Sequence, residues 1–384
     1  METIEARNAI LGAGIMGAMA AYHLAKRGEP VLLVEQFALD HDRGSSHGAA
    51  RITRHSYADR TYAQLMPWAF RAWRDFEGEA GESVYFRTGG VSFAPAGSSY
   101  TSAVAASLGE IGVPHWRGPG RDWNSRHPVF ALPGDADVVF EPDAGMLAAD
   151  RARALAVGLA RSLGGAGIRI LEQTPIRRID LDGSKPVLLG DAVRIIADRL
   201  IVAAGAWVDR LIPGLPRSFT VTRQQVLYFR PAGADAFRIG RFPVFISKGF
   251  GPDDAFYGMP TFLGMGVKVA RHGGSAVDPD GENRTVGEPY VALVRRFLAG
   301  TIPALADAQL DHAEVCLYTV DPAEQFLVDR MPARPDVVVA SPCSGHGFKF
   351  SCMIGKMLAD LAVDGESAID PPPWRWKKES SSSQ

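Results

Sequence analysis

Six residues near the start of the chain, Gly12-Ala13-Gly14-Ile15-Met16-Gly17, have G-x-G-x-x-G spacing. In such a turn the first glycine permits the tight bend and the second lets backbone approach a pyrophosphate. The third lets the following helix close on the strand, so that its free N–H groups face the phosphates. Glu35 stands 18 residues after Gly17, where an acidic side chain at the end of a second strand accepts hydrogen bonds from ribose hydroxyls. Dinucleotide binding is the chemistry this pattern serves, and FAD and NAD share it. A second group is basic: His47, Arg51, Arg54 and His55 fall within nine residues of the loop Gly44 to Tyr57. By composition alone that is an exposed basic loop, and Lys268 alone is a solvated strand lysine. Cysteines occur only at 316, 343 and 352. With no C-x-x-C and no Cys/His ladder of zinc spacing, neither a metal site nor a structural disulfide is expected, and a free thiol by itself reads as a small buried hydrophobe. Gly44-Ser45-Ser46-His47-Gly48 does not make the G-x-S-x-G elbow of a serine hydrolase.

These groups need a frame. Ala9 to Leu11, the glycine turn, a helix through Ala18 to Lys26 and the apolar run Val31 to Val34 read as a βαβ unit whose strands are buried on both faces. Leu39 to Arg54 reads as a long polar loop, a length that usually carries function. Tyr62 to Glu77 has helical spacing, with a kink or break expected at Pro67. Short apolar runs between Gly and Pro clusters from about 85 to 145 predict strands of a different sheet. Helices are expected over Ala152 to Leu163, Tyr290 to Leu298 and Phe350 to Val363. Strands are expected at Ile168 to Leu171, Leu200 to Ala204, across Val221 to Val269 and at Val337 to Ala340, with a hairpin about Asp180 to Lys185. Nucleotide-type elements thus stand at both ends and in the middle. That order predicts a mixed α/β protein of two discontinuous domains: a Rossmann-like one from 1–85, 146–220 and 325–372, and a strand-rich cap from 86–145 and 221–324, with 373–384 as a mobile tail.

At 384 residues the chain is long enough for two or three folded units. Its 46% hydrophobic and 22% charged residues are those of an ordinary globular protein. Lys and Arg total 41 against 43 Asp and Glu, a formal net charge of -2, so nothing advertises nucleic acid or an anionic membrane as partner. No uncharged apolar run reaches membrane-spanning length and the N-terminus is unlike a signal peptide. A cytoplasmic protein with a small-molecule partner is the expectation.

Six ordered stretches carry a resemblance: Gly12 to Gly17, GSSHGAARITRHSY (Gly44 to Tyr57), RLIVAAGAW (Arg199 to Trp207), CLYT (Cys316 to Thr319), FLVDRMP (Phe326 to Pro332) and GHGFK (Gly345 to Lys349). Together they resemble the monomeric sarcosine oxidase and N-methyltryptophan oxidase family, flavoproteins of the D-amino-acid oxidase type. The match spans nearly the whole chain apart from about 85–145 and the tail. It implies FAD, attached through its 8α-methyl carbon to the sulfur of Cys316, with Cys343 and Cys352 left to core packing. It also implies a cofactor site along Gly12, Gly14, Ile15, Met16, Gly17, Glu35, Gln36, Gly44, Ser45, Arg51, Ile176, Ala204, Gly205, Trp207, Gly345, His346, Gly347 and Lys349.

For the substrate, the resemblance implies that Arg54 and Lys349 grip a carboxylate, a task that suits a planar guanidinium, with Tyr318 beside them. His47 and Arg51 lie by the flavin ring, Tyr257 and His272 at the active site, and Lys268 over the flavin as the charge that promotes reaction with O2. The implied activity is oxidation of sarcosine or a larger N-methyl or cyclic amino acid by hydride transfer to FAD, with O2 as acceptor and a monomer as the working unit. A nicotinamide dehydrogenase would fit the glycine turn but leave Cys316 to Thr319 and Gly345 to Lys349 without a task. A non-catalytic flavin-binding protein is the alternative of another class. Two departures are local: RNAILGAG is a less apolar first strand than the family's, and two alanines, Ala49 and Ala50, replace an acidic residue and a hydroxyl.

Overall fold

The computed structural model describes residues 1–376 apart from Pro213, Pro252, Asp253 and Glu282. Its first sheet is centred on the strand Glu2–Leu11, which pairs in parallel with Val31–Val34 on one side and Val193–Val202 on the other. Val31–Val34 pairs in parallel with Ile168–Leu171. Val193–Val202 has two partners along its far edge: Val187–Gly190, antiparallel, on its first half and Arg334–Ser341, parallel, on its second. Runs such as VLLV and VVVA are continuously apolar because both faces of these strands are covered. On one face lie the helices Ile15–Lys26, Ala149–Gly164 and Ser351–Val363. Their approach is close: a Cβ on Gly355 would stand 2.5 Å from that of Met19.

The second large sheet runs Gln309–Val320, Thr220–Arg230, Val267–Arg271, Ala255–Met259, Val244–Lys248, Gly90–Ala94, Asp137–Glu141, Trp116–Pro119. Its pairs are antiparallel except Val244–Lys248 with Gly90–Ala94. It has its own core, with Phe93, Phe130, Phe242 and Phe245 packed under the helix Glu288–Ala299. A small third sheet, Ala50–Thr53, Gly145–Ala148 and Tyr85–Arg87, lies between the other two in chain order.

Three expectations are corrected. The loop Leu39 to Arg54 ends in a strand, Ala50–Thr53, because its Ala50 and Thr53 are buried and its backbone is paired to Ala148 and Gly145. Pro67 does not end its helix: Arg60–Ala80 is continuous, capped by the Asp59 carboxylate on the Thr61 N–H, and its buried face of Ala63, Met66, Phe70, Trp73 and Phe76 outweighs one lost hydrogen bond. Trp374, within the stretch expected from 373 to be a mobile tail, is instead fully buried against Phe326, Tyr62 and Phe350. Residues 377–384 lie outside the described residues.

Candidate active site

The glycine turn shows why glycine is required there. Gly12 has φ +103°, and a Cβ on it would stand 2.4 Å from the Ala203 carbonyl oxygen. On Gly17 a Cβ would reach within 1.8 Å of the Gly12 carbonyl oxygen, whereas on Gly14 it meets only the Ser46 hydroxyl, at 3.2 Å. Gly17 is therefore a packing residue, and Gly14 is the open one that faces the cavity. Glu35 is buried, and its carboxylate accepts from the Ala13 N–H at 2.8 Å and the Phe37 N–H at 3.0 Å. The Ser46 hydroxyl accepts from the Ile15 N–H at 3.0 Å, at the start of the helix.

From this turn a cavity of about 580 Å³ extends to the second sheet. Its wall includes, from the expected set, Gly12, Gly14, Ile15, Met16, Glu35, Gln36, Gly44, Ser45, His47, Arg51, Arg54, Ile176, Ala204, Gly205 and Trp207. Further along come Tyr257, His272, Tyr318, Gly345, His346, Gly347 and Lys349. Gly17, Lys268 and Cys316 are not on the wall. Lys268 lies behind it, its ammonium donating to the Ala50 carbonyl at 3.1 Å. Cys316 is buried, and burial pushes its thiol up. The next residue offers its Leu317 carbonyl to the Ser45 hydroxyl.

Two cations converge at the far end. The Arg54 guanidinium lies over the Tyr57 ring at 4.5 Å, and the Lys349 ammonium donates to the Tyr57 hydroxyl at 2.9 Å and the His346 carbonyl at 3.1 Å. Burial, and then Arg54, hold Lys349 well below the usual lysine range. A negative charge placed beside it would favour its ammonium form. His346, hydrogen-bonded to Tyr57 at 3.1 Å, is lowered to about 3 by burial and by Lys349, and is a neutral imidazole.

Tyr257 and Tyr318 bring their hydroxyls to 3.4 Å, and burial raises both, Tyr257 to about 12. His272 lies 3.6 Å from the Glu324 carboxylate. Both His272 and Tyr318 press on Gly345, where a Cβ would stand 2.5 Å from each ring, so the GHGFK loop needs glycine there. Arg51 donates to the carbonyls of Ser45, at 2.9 Å, and His47, at 2.5 Å, which curls the loop around its guanidinium. His47 is lowered to about 3 by burial and then by Arg51. Lys268 is lowered to about 7 by the same two causes, so its charge is not fixed at neutrality.

The sequence reading missed several wall residues. Tyr57 joins Arg54 to Lys349 but had been only the end of a motif. Arg153 comes from a helix with no motif of its own, and Ser46 sits unsingled inside the Gly44 to Tyr57 stretch. Cys343, expected in the core, lines the cavity beside the Ser45 hydroxyl at 3.9 Å. Its nearness to Gly345 in the chain was the available signal.

The residues present fit FAD. The cavity starts at a glycine turn with a helix N-terminus, and the buried His47 Nε2 and Ser341 Oγ on its wall have no hydrogen-bond partner among the described residues, as expected of atoms that a polar ligand completes. A family model described as FAD dependent oxidoreductase matches residues 7–361. Monomeric sarcosine oxidase of Bacillus sp. (strain NS-129) is 32% identical over 371 residues, 94% of each chain. N-methyl-L-tryptophan oxidase of Salmonella arizonae is 29% identical, over 95% of this chain and 97% of its own. The solved structure of NikD, an unusual amino acid oxidase essential for nikkomycin biosynthesis, superposes with a TM-score of 0.86 at 21% identity, over 98% of both chains, a likeness of fold.

Proposed function

The chain belongs to the FAD-dependent oxidoreductase family, and from that premise we propose that it is an oxidase of secondary amino acids, with sarcosine the simplest substrate. The observation that carries this reading is the meeting of Arg54 and Lys349, from opposite ends of the chain, on the Tyr57 ring in the cavity that begins at the glycine turn. Such a pair takes a carboxylate, and binding it fixes where the amine lies. When bound, FAD accepts a hydride from the C–H next to nitrogen and passes both electrons to O2. The balance for sarcosine is sarcosine plus O2 plus water to glycine, formaldehyde and hydrogen peroxide.

In this reading Arg54 and Lys349 hold the carboxylate, while Tyr257, Tyr318 and His272 wall the amine side and limit the N-alkyl group. Gly12, Gly14, Ile15, Met16, Glu35, Gln36, Gly44, Ser45, Ile176, Ala204, Gly205, Trp207, Gly345, His346 and Gly347 hold the cofactor, and Gly17 closes the helix behind them. His47 stays neutral. Arg51 and Lys268 supply positive charge where negative charge develops, and Cys316 is the attachment point for a covalent flavin. Segments 1–85, 146–220 and 325–372 form the cofactor domain and 86–145 with 221–324 the cap. What supports this division is that strands of the first sheet come from the former and nearly all strands of the second from the latter. The same proposal includes a monomer in the cytoplasm. No helix among the described residues is long and apolar enough to cross a membrane.

The test is an absorbance spectrum before and after acid precipitation, followed by anaerobic sarcosine. Flavin colour that stays with the pellet and bleaches on addition is the expected result. Colour that stays but bleaches only with N-methyltryptophan or pipecolate moves the substrate to a larger or cyclic amino acid. Protein that remains colourless with added FAD defeats the reading.

A further inference from the structure

The Arg54 guanidinium has little of its own to hold it. Among the described residues it forms no ion pair, and its contacts are the Tyr57 ring and the Ser56 hydroxyl at 3.4 Å. Its aim must therefore come from the backbone. The register of the small sheet, Ala50 to Ala148, Arg51 to Leu147, Ile52 to Met146 and Thr53 to Gly145, guides the chain as far as Thr53 and then stops. At the next turn of chain a single side chain takes over. Glu141, at the end of a strand of the large sheet, accepts from the His55 backbone N–H at 2.8 Å, and the same oxygen lies 3.5 Å from His55 Nδ1.

This carboxylate is expensive. The Glu141 side chain has no exposed surface, and its second oxygen has no hydrogen-bond partner among the described residues. His55 is also buried, stacked on Phe70 at 4.1 Å with its ring 7° from parallel. A buried carboxylate with half its acceptor capacity idle costs stability. A hydrogen bond from the His55 N–H to a side-chain oxygen held this firmly in place nevertheless fixes the backbone at that point. The contact also joins two units, since Glu141 pairs with Gly90 in the large sheet while His55 lies between Arg54 and Tyr57.

We propose that Glu141 is a positioning residue for substrate binding: by holding the His55 N–H it sets the direction of Arg54 and the place of Tyr57, and so the geometry of the carboxylate clamp. The inference rests on the clamp reading above. Glu141→Asp withdraws the acceptor by one methylene, Glu141→Ala removes it, and Glu141→Gln keeps an oxygen at the same reach without the charge. The readouts are KM and kcat for sarcosine and the inhibition constant of acetate, a carboxylate with no amine to oxidise, with flavin absorbance and melting temperature as controls. E141D and E141A should raise KM and the acetate constant together by about tenfold, while kcat at saturation stays within about threefold and E141Q remains within about threefold of wild type in all three.

Should E141A fail to fold, E141D carries the test. E141D with a lowered melting temperature but KM and acetate constant within about twofold of wild type would make Glu141 merely structural and overturn the inference. E141Q losing as much as E141D would also overturn it, because the acceptor would then not be what matters. A wild-type enzyme that acetate does not inhibit would overturn the clamp itself, and this inference with it.

Discussion

At the nucleotide end of the cavity the protein works with backbone: a glycine turn, a helix start, and a carboxylate on Glu35 that accepts from the Ala13 and Phe37 N–H groups. At the far end it works with side chains, Arg54 and Tyr57 from one loop, Tyr257 from the large sheet and His272 just past one of its strands, Tyr318 from its edge, and Lys349 from the last loop. The difference concerns how each end tolerates change. A backbone site has no slack, because an added atom collides with main chain that cannot move alone. A side-chain site is tuned by burial and charge, so a substitution shifts an equilibrium and leaves the architecture standing.

The sharpest break of that comparison lies inside the glycine turn. Gly17→Ala puts a Cβ 1.8 Å from the Gly12 carbonyl oxygen, an overlap relieved only by moving the helix off the strand, at a cost of ~3 kcal/mol or more. The purified variant should carry almost no flavin. Gly14→Ala, whose Cβ meets a hydroxyl at 3.2 Å, should keep part of it. The ratio of flavin to protein absorbance decides, and a Gly17→Ala protein with full flavin would show that the backbone end has slack after all.

Lys268, behind the cavity wall, is a costly group at the other end. Burial and Arg51 lower its pKa from 10.5 to about 7. The folded state therefore binds its proton less tightly than the unfolded chain, and the penalty appears below the unfolded pKa of 10.5, growing as pH falls toward about 7. Near neutrality it is on the order of 4 kcal/mol. Lys268→Met should accordingly raise the melting temperature at neutral pH, with an advantage that shrinks as pH rises toward 10.5. The same variant should slow reoxidation by O2 about 100-fold while slowing anaerobic reduction far less. A melting difference that does not vary with pH would mean that Lys268 is solvated. Unchanged reoxidation would remove it from the oxygen step.

How much of this could be read in advance follows the same division. The glycine turn and the two flanking strands announce themselves because local geometry dictates residue type, as at Gly12 and Gly17, whereas the GHGFK loop was legible through the family resemblance. The strand Ala50–Thr53 was hidden in a polar loop because its partner, Gly145–Ala148, lies about 95 residues away in sequence, and only pairing buries it. Pro67 misled because local propensity argues against a helix that tertiary packing sustains. Cys343 and Glu141 carry no motif spacing, and Tyr57 only ends one. Their roles arise from long-range contact, as when Tyr57 meets Lys349 across 292 residues and Glu141 meets His55 across 86. Trp374 appeared to belong to a tail because its burial partners, Tyr62, Phe326 and Phe350, are scattered along the chain.

The smallest of the expected effects separates charge from shape at the clamp. Arg54→Ala leaves Lys349 alone to meet a carboxylate, and loss of one partner of a desolvated charged pair costs about 2–5 kcal/mol, so KM for sarcosine should rise about 100-fold with flavin content unchanged. Arg54→Lys keeps the charge but replaces a planar fork with a point charge on a flexible stem. Its KM should rise only about tenfold, and kcat should fall, because a carboxylate held at one point lets the amine wander from the C–H geometry the reaction needs. The two variants together separate binding from aim. If Arg54→Lys matches wild type in both constants, charge alone makes the clamp, and the backbone hold on residues 54–57 has nothing left to position.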